Sequence, residues 1–143
     1  NVAHSWLNMA GNVPFHFVLS CPPGYEPDQS VLDTALAADV GEVEIVHDPF
    51  DAVKDADVIY TDVWASMGQE EEQKKRDKDF QNYQVDANLM SMAKPGCKFM
   101  HCLPAHRGSE VTDEVVDSEN SIVFDEAENR LHVQKAIMVD LMG

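Results

Sequence analysis

Short, continuous apolar runs alternate along this chain with longer segments of mixed polarity. The runs at residues 15–20, 43–47, 57–61, 98–101 and 121–124 are β-rich and fit buried strands. Helical signals fall between them. Residues 4–10 read as the first turns of a helix. Cys21-Pro22-Pro23-Gly24 stops the strand that follows. Asp28 can cap a helix reaching about Asp39, with Val31, Ala35 and Ala38 on one stripe and Gly41 closing it. Asp48-Pro49 opens a short helix, because Pro is tolerated at the first helical position. Residues 70–79 are charged all round, with acids (Glu70, Glu71, Glu72) before bases (Lys74, Lys75, Arg76, Lys78), an order that complements a helix dipole. Residues 86–93 form another helix, ended by Pro95-Gly96. Thr112-Asp113-Glu114 can start a short one, and residues 126–141 a last one with Leu131, Ala136, Ile137 and Leu141 as candidate core contacts.

Strands separated by helices of this length imply βαβ units. The predicted fold is α/β: a doubly wound parallel sheet with helices on both faces, a Rossmann-like lobe spanning 1–143. Such a lobe usually opens with its central strand. Here a helix comes first, so the lobe is expected to lack its first strand and to start on the loop feeding that helix. Residues 1–11 carry no basic start before their apolar part and do not resemble a signal peptide.

Composition narrows the partners. Ten Lys and Arg face 26 Asp and Glu, a formal net charge of -16. That argues against nucleic acid and anionic membrane surfaces, and no apolar run is long enough for a membrane span. A small anionic substrate would need locally placed cations, and the only arginines are Arg76, Arg107 and Arg130. Cys21, Cys97 and Cys102 are scattered and odd in number, which fits reduced cytosolic thiols better than a disulfide frame.

Two motifs follow strand-like runs: Asp62-Val63-Trp64-Ala65-Ser66-Met67-Gly68 and His101-Cys102-Leu103-Pro104. Ligands in open parallel sheets sit at the carboxyl ends of strands, so a carboxylate and a thiol are expected at one crevice. Asp62 reads equally as a turn former or as a carboxylate holding an ammonium group. Ser66 can bond a carboxylate, and Gly68 can hinge a closing loop. Cys102 reads as a small buried hydrophobe or as a reactive thiol, whose acidity depends on nearby positive charge. A Cys–His hydrolase is a competing reading. Neighbouring residues on a strand face opposite ways, so His106 suits that role better than His101. Zinc held by Cys97, Cys102 and His106 lacks a matched second pair. Arg130 can pair with Glu126 at i,i+4 or meet an anion at a helix start. Neither a Gly-rich dinucleotide fingerprint nor a phosphate loop occurs.

Together, Asp62-Val63-Trp64-Ala65-Ser66-Met67-Gly68-Gln69-Glu70, His101-Cys102-Leu103-Pro104-Ala105-His106-Arg107-Gly108 and Asp125-Glu126-Ala127-Glu128-Asn129-Arg130 resemble the second lobe of the ornithine carbamoyltransferases. Asn1-Val2-Ala3-His4-Ser5 is similar to the end of that family's Asn-containing turn, and Pro23-Gly24-Tyr25-Glu26-Pro27 also fits. The resemblance covers essentially the whole chain. It implies transfer of a carbamoyl group from carbamoyl phosphate to the δ-amine of L-ornithine, giving citrulline and phosphate. It implies that Asn1, Asp62, Ser66 and Met67 bind ornithine's α-amino and α-carboxylate groups. Cys102 would lie near the δ-amine, so that one extended five-carbon molecule bridges Asp62 and Cys102. The carbonyls of Cys102 and Leu103 would accept from the carbamoyl amide, and Arg130 would contact carbamoyl phosphate. Asp62, Cys102 and Arg130 are thus the catalytic candidates. The resemblance implies no metal or organic cofactor and a cytoplasmic homotrimer for the full-length protein. The family's first lobe carries a Ser-x-Arg-Thr phosphate loop and a His-Pro-x-Gln segment; neither occurs here. The carbamoyl-phosphate-binding domain is therefore expected to be absent and the isolated chain to have little transferase activity. A non-catalytic amino-acid-binding or interaction module derived from this lobe is the other reading.

Overall fold

A computed structural model describes residues 2–65 and 70–143. They fall into two compact units, Asn1–Lys54 and Asp55–Gly143. Each alternates helix with strand and holds a two-stranded parallel ladder, the α/β pattern expected from the spacing.

The first unit runs α1 (Val2–Ala10), β1 (His16–Ser20), α2 (Gln29–Ala38), β2 (Glu42–Val46) and α3 (Pro49–Ala52). β1 and β2 pair from His16↔Glu42 to Ser20↔Val46. Leu7, Ala10, Cys21, Ala35 and Val53 form its buried core. The caps follow the sequence signals. Asp28 accepts from the Ser30 amide at the start of α2, and Asp48 from the Phe50 amide at the start of α3, with Pro49 in the first turn. The end of α2 differs from expectation. Asp39, at φ 51, takes the left-handed cap position, not Gly41. Gly41 serves close approach instead: a Cβ there would lie 2.8 Å from the carbonyl oxygens of Ala10 and Phe15.

The second unit runs β3 (Val58–Thr61), α4 (Glu70–Asp79), a 3-10 turn (Gln81–Tyr83), α5 (Ala87–Ser91), β4 (Lys98–His101), α6 (Asp113–Val116) and α7 (Val123–Met142). β3 and β4 are parallel, and Ile59 and Phe99 sit opposite one another in the core with Val85, Leu89, Val111, Val115 and Val123 around it.

Two expectations for the end of the chain are corrected. Residues 121–124 are not a strand. Only Ser121 bridges to Phe99, and the chain enters α7 at Val123. Asp125 and Glu126 in the first turn favour a helix N-terminus there, which overrides the β-branched residues. Leu131, Ala136, Ile137 and Leu141 are exposed rather than core; Leu141 is 77% accessible. Of α7, only Val123 is buried.

Candidate active site at the ends of β3 and β4

The parallel register builds the site. Thr61 lies opposite His101, so the next residues, Asp62 and Cys102, leave the ladder side by side. Neighbouring strands are about 4.8 Å apart, close enough for direct contact. The Cys102 thiol donates to Asp62 Oδ1 at 3.1 Å. The same oxygen accepts the Val63 amide at 2.8 Å, so Asp62 also forms the turn. The expected separation of these two groups by an extended five-carbon molecule does not occur: they touch.

Partial desolvation raises the thiol of Cys102, a residue exposed overall, and the Asp62 carboxylate beside it raises it further, to about 11. The neutral thiol is therefore the form present near neutral pH, a hydrogen-bond donor rather than a thiolate nucleophile. The Tyr60 hydroxyl, likewise raised by burial and by the neighbouring Cys102 and Glu126, stays protonated.

Behind this pair lies a network that sequence reading missed. The buried His101 uses both ring nitrogens. Nδ1 accepts the Leu103 amide at 2.8 Å, and Nε2 faces Glu110 Oε1 at 3.2 Å. A backbone N–H cannot accept, so the proton must sit on Nε2 and point at Glu110. Glu110 is 1% exposed. Its Oε1 also accepts the His106 amide, while Oε2 has no hydrogen-bond partner and lies 3.9 Å from His106 Nδ1. Burial pushes this carboxyl up, but the bonds from His101 and His106 outweigh it and hold Glu110 below its ordinary range. The Leu103 amide bond to His101 pins a turn in which Leu103 adopts φ 54, a left-handed conformation that costs on the order of 1 kcal/mol or more.

Glu126, in the first turn of α7, takes a role other than the expected pairing with Arg130. Its Oε1 accepts from the Tyr60 hydroxyl and its Oε2 from the His101 amide, each at 3.1 Å. The expected Glu126–Arg130 pair is not among the ion pairs of the described residues, because Glu126 turns inward. Arg130 is exposed on α7, away from the hydrogen bond that joins Asp62 and Cys102. Arg107 forks onto Asp117 at 2.7 and 2.8 Å and reaches Asp113 at 2.9 Å, stapling its loop to α6. Asn1, Ser66, Met67 and Gly68 lie outside the described residues.

The competing chemistries fit less well. The Cys102 thiol points at a carboxylate, not an imidazole, so no Cys–His pair is assembled. The proposed zinc set of Cys97, Cys102 and His106 does not form. The buried Cys97 thiol faces the Lys98 carbonyl at 3.7 Å. Among the described residues, Asp62, His101 and Cys102 do bring ligand atoms within 4.8 Å of one another. Both His101 nitrogens are already engaged, so a metal there would have to displace the Leu103 amide or Glu110.

Residues 1–141 match the family model described as Aspartate/ornithine carbamoyltransferase, Asp/Orn binding domain. The chain is 58% identical over its whole length to ornithine carbamoyltransferase of Chlorobaculum tepidum, of which it covers 42%, and 56% identical to the chloroplastic enzyme of Pisum sativum, of which it covers 38%. Ornithine carbamoyltransferase from Pyrococcus furiosus superposes with TM-score 0.89 at 56% identity, over 96% of this chain and 45% of that one. An acetylornithine transcarbamylase complexed with acetylcitrulline reaches TM-score 0.86 at 39% identity, over 99% of this chain and 44% of that one. The chain thus spans less than half the length of these relatives. With sequence and fold agreeing over nearly every residue, the chain belongs to the Asp/Orn-binding domain family of the aspartate/ornithine carbamoyltransferases.

Proposed function

We propose that this chain is the ornithine-binding half of an ornithine carbamoyltransferase, which transfers the carbamoyl group of carbamoyl phosphate to the δ-amine of L-ornithine. The observation that carries the reading is the Asp62–Cys102 pair held at adjacent strand ends, in a family whose relatives at 58% and 56% identity are named for this activity.

The nucleophile is an amine that arrives as an ammonium ion. It must lose one proton to solvent before its nitrogen can attack the carbamoyl carbon, and the second proton it sheds on forming the N–C bond leaves with the phosphate. The N–C bond then forms, the C–O bond to phosphate breaks, and inorganic phosphate leaves. In this reading Asp62 holds ornithine's α-ammonium group, which takes the thiol's place at Oδ1, so the Asp62–Cys102 contact opens as the five-carbon chain comes to lie between them. The neutral thiol of Cys102 stays beside the reacting amine as a neighbour that adds no charge of its own. The carbonyls of Cys102 and Leu103, at the left-handed turn of Leu103, accept from the carbamoyl amide. Arg130 meets carbamoyl phosphate, where negative charge builds on the leaving group. Asn1, Ser66 and Met67 complete the grip on ornithine's α-amino and α-carboxylate groups. Holding both substrates in line supplies much of the rate. The reading needs no metal or organic cofactor, and it takes the full-length enzyme to be a cytoplasmic homotrimer that binds neither nucleic acid nor membrane.

Isothermal titration with ornithine, alone and with a carbamoyl phosphate analogue, tests it. Asp62→Ala is expected to weaken ornithine binding at least tenfold, the loss of a charge-assisted hydrogen bond worth about 1.5–3 kcal/mol. Wild-type affinity in that variant would remove Asp62 from the ammonium role.

A further inference from the structure

The Asp62–Cys102 contact depends on two strand ends lying at a fixed spacing, and among the described residues the last ladder pair is Thr61↔His101. The register brings the ends side by side. Glu126 ties them a second time. It projects from the first turn of α7, where a carboxylate is favoured by the helix dipole. One of its oxygens takes the Tyr60 hydroxyl of β3; the other takes the backbone amide of His101 at the end of β4. Tyr60 stands two residues before Asp62, so its side chain shares a strand face with it. His101 immediately precedes Cys102.

We infer that Glu126 is a positioning residue: one carboxylate clamps the end of β3 through Tyr60 and the end of β4 through His101, and so sets the spacing at which Asp62 and Cys102 meet. The inference rests on the proposed function only for what the pair is used for. The clamp also has an electrical signature. Glu126 adds negative charge near the thiol and so raises it, whereas the Tyr60 hydroxyl hydrogen-bonds the thiol and lowers it.

Those opposite effects make the test. Alkylation of Cys102 by iodoacetamide, followed residue by residue with mass spectrometry between about pH 7 and 11, reports the thiol's titration. Glu126→Gln keeps the shape of the side chain but removes its charge, and one of its two termini can no longer accept. It is expected to lower the Cys102 titration and speed alkylation near pH 8. Each unit of fall raises the thiolate fraction about tenfold, partly offset by a less nucleophilic sulfur. Tyr60→Phe is expected to raise the titration and slow alkylation. A role confined to holding α7 in place would loosen the site in both variants and move both the same way.

Opposite shifts support the clamp; shifts of the same sign, or none in either variant, overturn it. If Glu126→Gln melts below the assay temperature, Glu126→Asp replaces it. Its arm is one methylene too short to reach both donors and it draws the charge back from the thiol, so the same opposition to Tyr60→Phe is required. The measurement uses neither ornithine nor carbamoyl phosphate. Opposite shifts together with wild-type ornithine binding by Asp62→Ala would therefore sink the ornithine reading and leave the clamp standing.

Discussion

Glu110 shows how much a single buried carboxylate can organise. It satisfies the His101 ring and the His106 amide together, and through His101 it fixes the proton that leaves Nδ1 free to hold the Leu103 amide. Truncation would strand a buried imidazole N–H and an amide. Glu110→Ala is therefore expected to cost about 3 kcal/mol, measured by urea unfolding. A pH effect belongs to the same residue. Because the folded state holds this carboxyl below its ordinary range, its contribution is complete above the unfolded value of about 4.3 and fades as pH falls through the lower folded value. Glu110→Gln should remove that part of the acid sensitivity, visible as a shallower loss of stability below about pH 4. Sequence reading could not find Glu110. Its partner His101 lies nine positions away on another element, and no local pattern marks such a pairing. Cys102 and Asp62 were legible because each closes an apolar run, and strand ends are where α/β folds place chemistry.

At the scale of elements, legibility followed local physics. The charged helix α4 runs Glu70–Asp79, the range expected from its charges, and Arg76 pairs with Glu72 within it. The starts of α2 and α3 were readable from Asp28 and from Asp48-Pro49, whose capping bonds span two residues. The start of α7 was not. Ile122, Val123 and Phe124 favour a strand in isolation, and only the ladder position of Ser121 beside Phe99 shows the chain turning away into helix. Gly41 was recognised as special, but for the wrong reason. Its Cα lies against three carbonyls, its amide bonds Ala10, and it stands where the end of α1 meets the start of β2. Gly41→Ala should thus push those backbones apart and destabilise the first unit by about 1–3 kcal/mol, read from thermal or urea unfolding. No gain from reduced chain entropy would offset it, since that gain is only about 0.4–1 kcal/mol.

Over the molecule as a whole, 26 acidic side chains against ten basic ones leave a net charge of -16 in 143 residues. Such an excess repels itself in the compact state. Salt should therefore stabilise the fold. Raising ionic strength from about 0.01 to 1 M shortens the screening length from roughly 30 to 3 Å. Relief of about 1 kcal/mol would lift the melting temperature by roughly 3–5 °C for a chain of this length. Scanning calorimetry across a salt series checks this; a melting temperature that falls with salt would mean that attractive pairs such as Arg107 with Asp113 and Asp117 outweigh the repulsion. The parallel register of β3 and β4 carries a different lesson about how this lobe can vary through descent. Since side chains alternate between faces, gaining or losing one residue between Val58 and Asp62, or between Lys98 and Cys102, would swing the acid or the sulfur to the far side. Apart from Tyr60 and His101, spelling along these two strands is negotiable, whereas their letter count is not.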